Sequence, residues 1–257
     1  MSGSLADPDL LTIAAIVAVM MFGAFVKGAV GFALPMIALA GLSLFLTAQE
    51  AVAIIVIPAA LSNVWQTLRQ GLSAAVQTFR RFWQIHLTMA ITLAIAAQAV
   101  PKIASETLFV ILGVVVSLAA IVQLMGLRPR VRIDTPGRRQ IEACVGFIAG
   151  LIGGITGVWG PVILNWLIAL NTEKREQVRM MGVNFLIGWW VLVGAHLTSG
   201  VLNTDTAPIS AAMMVPVLIG MWLGMKIQDR VDQALFQKLT LIVLCVAGLN
   251  LLRRGLF

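Results

Sequence analysis

Long apolar segments follow one another along the chain, and only short polar connections separate them. Most are about 20 residues long, the length of a helix that crosses the hydrocarbon core of a bilayer. The pattern predicts helices at 10–27, 34–47, 51–69, 82–100, 105–126, 141–156, 161–171, 178–198, 207–226 and 233–252. The fold class that it indicates is an all-α integral membrane protein with about 8–10 membrane helices.

Composition agrees with a membrane location. Hydrophobic residues make up 60% of the chain and charged residues 11%, with a mean hydropathy of +0.96, whereas a soluble domain has about 25% charged residues. The net charge of +7 is explained by loops that meet lipid headgroups, and it does not indicate a nucleic-acid partner. Cys144 and Cys245 lie in apolar segments and are predicted to be free thiols. No cofactor and no metal site are predicted.

A glycine-and-proline break interrupts the apolar sequence twice, in the same register. The residues that recur 126 positions later are Gly28, Gly31 and Pro35 in the first copy and Gly154, Gly157 and Pro161 in the second. Backbone that is not helical at membrane depth must be buried in protein or line a cavity. Because paired interruptions in two halves of a transporter point to its central site, the breaks predict a transporter built from two repeats.

The repeated break divides the chain into two membrane repeats, at 1–127 and 141–257. The polar stretch between them, 128–140, is rich in arginine. It is predicted to be a cytoplasmic linker, because cytoplasmic loops carry an excess of Lys and Arg. Both termini are predicted on the opposite, periplasmic or extracellular side.

The loop charges also favour one arrangement of the broken segments. If the helices at each break form a hairpin that returns to its starting side, Lys102, Arg253 and Arg254 face away from the linker. The other loop cations then lie on the linker side, whereas a single crossing at each break would spread them more evenly. The hairpin arrangement predicts an inverted-topology tandem repeat. Whether the two broken hairpins cross the membrane or re-enter it stays open.

Each break is predicted to expose the start of a short helix at membrane depth. Pro35 and Pro161 follow the glycines directly, and proline suits the first turn of a helix because its missing N–H would be unpaired there anyway. A helix start carries a partial positive charge and free N–H donors, and the two together favour an anion. Two such ends that face each other would attract one small anion to the centre of the protein.

Lys27 is the basic residue that lies near the middle of an apolar segment, directly before Gly28. A charge inside the membrane is costly and usually faces a cavity or a partner. No Asp or Glu of the sequence lies deep in a predicted helix to pair with it. Lys27 is therefore predicted to be an anion ligand; the alternative is a side chain that extends to the membrane interface.

Further polar and aromatic residues lie within the predicted helices. The complete set of predicted substrate-binding residues is Lys27, Gly28, Gly31, Phe32, Pro35, Asn63, Gly154, Thr156, Gly157, Trp159, Gly160, Pro161 and Asn184. Interhelical hydrogen bonding is the alternative role for the polar members. Trp159 stands where the first break has Ala33, and it could close the site or stack on an apolar substrate tail. His86 and His196 are candidates for proton coupling, with a structural role as the alternative.

The residues of the two breaks resemble those of the TauE/SafE family of sulfite exporters and related permeases for organosulfur anions. The resemblance rests on Gly-Ala-Phe-Val-Lys-Gly-Ala-Val-Gly-Phe at 23–32 with Pro35, on Ala51-Val52, and on Gly-Leu-Ile-Gly-Gly-Ile-Thr-Gly-Val-Trp-Gly-Pro at 150–161. It implies a multi-pass protein of the bacterial inner membrane that moves sulfite, sulfonates or similar sulfur oxyanions. Ala33 departs from the pattern, because the resemblance leads us to expect glycine there.

The function predicted is that of a secondary transporter of a small sulfur-containing anion, working by alternating access. A transporter of small carboxylates and a passive anion channel are the alternatives. An enzyme is not predicted, because the helices contain no nucleophile–base pair or metal cluster, and the nucleotide-binding motif of an ATP-driven pump is absent. The partners expected are the anion and the lipid bilayer; assembly of identical chains is left open.

Overall fold

The computed structural model describes residues 9–30, 33–68, 71–126, 137–227 and 233–256. These residues are helical apart from short turns and contain no strand. The helices are α1 (Leu10–Val30), α2 (Leu34–Leu42), α3 (Ala48–Leu68), α4 (Leu72–Arg81), α5 (Trp83–Ala97), α6 (Ser105–Leu124), α7 (Arg138–Thr156), α8 (Gly160–Ala169), α9 (Lys174–Ser199), α10 (Thr206–Ala212), α11 (Met214–Ile227) and α12 (Gln233–Leu256). A short 3-10 turn, Val100–Lys102, follows α5.

Seven segments among the described residues are long and apolar enough to cross a membrane. They are Leu10–Ala29, Ala48–Leu68, Trp83–Lys102, Ser105–Leu124, Glu176–Ser199, Thr206–Ile227 and Lys238–Leu256. Large apolar side chains such as Leu239, Val243 and Val246 on α12 are exposed on the protein surface. An exposed apolar surface of this kind is suited to contact with lipid and unfavourable in water. The predicted all-α membrane fold is confirmed. The number of 8–10 membrane helices stays a prediction, because it includes the short helices α2 and α8 and the more polar α7.

Two of the predicted helices differ from the observed ones: one is shorter than predicted, and the other is interrupted. The segment predicted at 34–47 stops at Leu42 and continues as a turn. The segment predicted at 207–226 is interrupted at Met213, between α10 and α11. Pro216 explains this interruption, because it has no N–H for the carbonyl of Ala212.

Helix α3 continues through Pro58, which lies in its interior. Proline cannot donate to the carbonyl four residues earlier, which is that of Ile54. The hydroxyl of Ser210 on α10 donates to this carbonyl oxygen at 2.9 Å, and the amide of Ile57 donates to the Ser210 Oγ at 3.3 Å. A side chain of the second half therefore satisfies the backbone of the first, as a membrane interior requires.

The helix boundaries of the two halves repeat with the same offset as the breaks. Helix α1 ends at Val30 and α7 at Thr156, while α3 begins at Ala48 and α9 at Lys174, each pair 126 residues apart. The packing follows the same correspondence: α1 packs on α11 and α7 on α5, while α3 packs on α9 and α6 on α12. Exchanging the two halves therefore maps each of these helix pairs onto a pair that also exists.

Glycines allow the helix pairs α1–α11 and α5–α7 to approach closely. Gly146, Gly150 and Gly154 recur every fourth residue along α7 and face α5, while Gly28 on α1 meets the backbone of α11. A Cβ atom at Gly150 would lie 2.5 Å from the Met89 carbonyl oxygen. Small residues at this spacing are typical of tight helix packing in membranes.

Replacing Gly150 with leucine should destabilise the protein by about 1–3 kcal/mol, because α5 and α7 would have to separate. The matched control is Gly194→Ala on α9, where an added Cβ has no atom within 4 Å. The measurement is the temperature at which the detergent-solubilised protein loses its monodisperse elution peak. The control should keep or raise that temperature; an equal loss in both variants would contradict close packing as the cause.

Candidate functional site

Lys27 lies in the last turn of α1 and is 4% exposed. Its ammonium group donates to Ser62 Oγ at 2.8 Å and to Asn63 Oδ1 at 2.7 Å, both on α3. We call these three residues the Lys27 cluster. The side chain points to a neighbouring helix and is buried, which argues against the alternative that it extends to the membrane interface.

The two oxygen acceptors of the Lys27 cluster are held in place by α3 itself. The Ser62 hydroxyl donates to the Ala59 carbonyl at 3.0 Å, and Asn63 Nδ2 donates to the same carbonyl at 2.8 Å. Ser62 Oγ and Asn63 Oδ1 are thus free to accept from Lys27. No carboxylate of a described residue forms an ion pair with Lys27. The ion pairs found among the described residues, Arg81–Glu176 and Arg138–Glu142, do not involve it.

Within the first break, the predicted site residues Gly31 and Phe32 lie outside the described residues. Ala33 precedes α2 with φ 86° and ψ −14°, a left-handed conformation that costs a non-glycine residue about 1–2 kcal/mol. The backbone geometry therefore gives a physical reason to expect glycine at this position. Pro35 is the second residue of α2, and Pro161 is the second residue of α8.

The second break begins at Gly157, which ends α7 in a left-handed conformation with φ 69°. Its N–H donates to the Gly153 carbonyl at 2.7 Å. The Thr156 hydroxyl donates to the Ile152 carbonyl at 2.7 Å and accepts the N–H of Val158 at 3.1 Å. Thr156 thus stabilises the backbone of the break, and substrate contact by its hydroxyl stays a prediction.

Trp159 fills the second break and is fully buried. The indole N–H donates to Asn184 Oδ1 at 2.8 Å, and the ring contacts Phe185 and Trp189 at centroid distances of 5.7 and 5.3 Å. Gly153 lies against the indole ring, where a Cβ atom would come within 2.8 Å of it. Gly188 leaves room on α9 in the same way. The indole is therefore held in a close-fitting aromatic enclosure.

Asn184 links Trp159 to His86, because its Nδ2 lies 3.2 Å from His86 Nδ1. An indole N–H can only donate, so the amide oxygen of Asn184 faces Trp159 and its Nδ2 donates to His86. Nδ1 of His86 is then an acceptor, and the ring proton lies on Nε2. Phe79 of α4 stacks on the imidazole at 5.4 Å, and Nε2 has no hydrogen-bond partner among the described residues.

The other histidine, His196 on α9, is 1% exposed, and its Nδ1 has no hydrogen-bond partner in the described part of the chain. Proton coupling through His86 or His196 stays a prediction. Asn184, predicted as a substrate ligand, is occupied by Trp159 and His86 in this conformation.

The two breaks differ chemically at corresponding positions. The pairs related by 126 residues are Lys27 and Gly153, Ala33 and Trp159, Ser62 and Gly188, and Asn63 and Trp189. At these positions the first half has the Lys27 cluster and the small residue Ala33, whereas the second half has an indole between two glycines. The cation at these corresponding positions therefore lies in the first half.

The remaining predicted site residues are glycines whose surroundings are now defined. Gly28 and Gly154 face the neighbouring helices α11 and α5. A Cβ at Gly160 would lie 2.8 Å from Phe185 Cζ, so this aromatic ring covers the start of α8. Helix packing explains why these positions are glycine, and substrate contact there stays a prediction. Ser62 is the member of the Lys27 cluster that the sequence analysis missed; its position beside Asn63 in the apolar helix α3 was the available signal.

An apolar cavity of about 500 Å³ lies apart from the two breaks, between α1, α2 and α12. Its lining includes Phe22, Gly41 and Val246, and it contains none of the predicted site residues.

Replacing Gly157 with valine should destabilise the protein by about 1–3 kcal/mol and slow transport, because a β-branched residue is strained at φ 69°. Gly157→Ala is the matched comparison: its Cβ would make an ordinary contact, 3.4 Å from the Trp189 ring, so it adds the left-handed strain without a β-branch and should have the smaller effect. The measurements are thermal unfolding in detergent and uptake into proteoliposomes. Wild-type behaviour of the valine variant in both assays would show that the left-handed conformation is dispensable.

Seven membrane-length segments and a helical fold with internal breaks define a multi-pass membrane protein. The sequence matches the family described as sulfite exporter TauE/SafE over residues 16–251. The chain belongs to this family of membrane transporters, and the predicted family resemblance is confirmed. Searches of curated proteins and of solved structures gave no match.

Proposed function

We propose that the protein is a secondary transporter of a small sulfur-containing anion, such as sulfite or an organosulfonate. The observation that carries the proposal is the buried ammonium group of Lys27, whose hydrogen bonds within the described part of the chain go to the neutral oxygens of Ser62 and Asn63. A buried charge without a counter-charge is unfavourable. A bound anion would supply the missing counter-charge beside a break in the membrane helices.

The chemistry of the first break supports an oxyanion with several oxygens. Two of the three N–H groups of the Lys27 ammonium are used by the cluster, which leaves one for a ligand. Helix α2 starts at Leu34, after the break, and its first N–H groups are further donors for an anion. A sulfonate or sulfite has three oxygens for such donors, whereas a carboxylate has two. Small carboxylates are therefore the second candidate.

The mechanism that we propose is alternating access between two inverted repeats, 1–127 and 141–257. The shared offset of the helix boundaries and the matching helix pairs support two equivalent halves. The arginines of the linker 128–140 support a cytoplasmic linker in the bacterial inner membrane, with both termini on the other side. Re-entry of the helix pairs α1–α2 and α7–α8 belongs to the same proposal.

The test is transport by the purified protein in proteoliposomes, with sulfite, sulfate, a two-carbon sulfonate, acetate and chloride as substrates. Uptake and current should respond to sulfite or the sulfonate and saturate with concentration. A response to acetate alone would replace the sulfur anion with a carboxylate. Empty vesicles and vesicles with an unrelated membrane protein are the controls.

Radiolabelled counterflow separates a transporter from a passive anion channel. A transporter should accumulate the labelled anion against an excess of unlabelled anion inside the vesicles, even if the exchange carries no net current. Flux that neither saturates nor shows counterflow would assign the protein to the channel class.

A further inference from the structure

We infer that the Lys27 cluster accepts one monovalent oxyanion and disfavours a divalent one. This inference rests on the proposed function, because it specifies the charge class of the anion that the same site transports. Three observations support it. The Lys27 cluster contains one cation, the corresponding positions of the second repeat contain none, and a net charge is costly in a closed membrane site.

The Lys27 cluster has a single positive charge. Ser62 and Asn63 contribute neutral oxygens, and both are oriented by the Ala59 carbonyl. The other buried side chain of a charged residue type among the described residues is that of Glu142, and it is paired with Arg138 at 2.8 Å. The described residues therefore give the Lys27 ammonium no counter-charge.

The second repeat does not double this charge. The positions that correspond to Lys27, Ser62 and Asn63 are Gly153, Gly188 and Trp189, and none of them is ionisable. Their space is occupied by the indole of Trp159, which packs on both glycines. A twofold-related site would have offered two cations to a divalent anion, whereas these described positions offer one.

Charge matching then decides which anion can be enclosed. A monovalent anion beside Lys27 gives a complex with no net charge. A divalent anion leaves one negative charge uncompensated, and the penalty for burying it is large in a low-dielectric interior. The remaining N–H of the ammonium can also donate to only one further oxygen. The site is thus suited to a sulfonate or to singly charged sulfite.

Three sulfur anions of similar tetrahedral shape test the inference on the wild-type protein. Methanesulfonate and sulfamate are monovalent, with an apolar and a polar substituent, while sulfate is divalent. Each is supplied with radiolabelled sulfur, and initial uptake rates into proteoliposomes are measured over a concentration series. We expect kcat/KM for both monovalent anions to exceed that for sulfate by at least about tenfold.

The outcomes separate this inference from the proposed function. Sulfate uptake equal to that of the monovalent anions would overturn the charge preference and leave the sulfur-anion transporter standing. Uptake of methanesulfonate without sulfamate would also overturn it, because contact with the methyl group would then explain selectivity. No uptake of these three anions by folded protein that does take up sulfite would overturn this inference alone, and no uptake of these three, of sulfite or of the two-carbon sulfonate would overturn the proposed function as well.

A pair of variants tests the charge without removing the lysine. Ser62→Asp places a carboxylate beside the ammonium and cancels its charge, whereas Ser62→Asn adds a neutral group of similar size. We expect kcat/KM for methanesulfonate to be at least about tenfold lower in the aspartate variant than in the asparagine variant, which has a side chain of the same size. Equal uptake by both variants, each with the elution profile of the folded protein, would overturn the inference.

Discussion

Trp159→Ala should lower the free energy of unfolding by about 3–5 kcal/mol, as the loss of a buried tryptophan does in packed cores. The indole is fully buried, and it contacts Phe185, Trp189 and the backbone positions of Gly153 and Gly188. Because Gly153 and Gly188 line the indole and have no side chains, neither can fill the space that the truncation leaves. The measurement is thermal and chemical unfolding of the protein in detergent.

The control for Trp159→Ala is Trp159→Phe, which keeps an aromatic ring and removes the N–H. Asn184 Oδ1 would then be buried without its donor, at a cost of about 1–3 kcal/mol. The amide also holds His86 at 3.2 Å, so this variant should disturb the Asn184–His86 contact as well. Equal stabilities of the alanine and phenylalanine variants would mean that the indole packing contributes little.

The main architecture could be predicted from the sequence because a bilayer imposes a simple length requirement. Apolar segments gave most of the helices to within a few residues, and the offset of 126 residues also relates the observed boundaries of α1 to α7 and α3 to α9. The sequence analysis did not predict helix α4, because a short segment that ends in Arg80 and Arg81 is typical of a polar loop. Its apolar positions form a stripe, which is the signal of an amphipathic helix.

The site could be predicted only in part, since sequence spacing gives the face of a helix but not the neighbour it meets. Lys27 stood out because a cation in an apolar segment needs a special environment. That Gly28 faces α11 and Gly154 faces α5 depends on the packing of helices far apart in sequence. The link from Trp159 through Asn184 to His86 joins three helices or their ends, and no local pattern encodes it.

Lys27→Met should reduce kcat/KM for a sulfonate by at least about a hundredfold, equivalent to about 2.7 kcal/mol of lost transition-state stabilisation. Methionine keeps the unbranched shape of the side chain and removes the charge and the donors. Effects on stability oppose each other: a buried charge is removed, but Ser62 Oγ and Asn63 Oδ1 lose their donor. The thermal stability should therefore stay close to that of wild type while transport is lost.

Two further variants make this result specific to the Lys27 cluster. Lys27→Arg keeps the charge in a larger, planar group and should retain part of the activity. Lys238→Met removes an exposed lysine of α12 and should transport like wild type. Uptake is measured for all three variants in parallel with unfolding temperatures. If Lys27→Met transports as well as Lys238→Met, the ammonium group only fixes α1 against α3. If Lys27→Met is folded and is the one inactive variant of the three, the buried charge is needed for transport because it balances the anion.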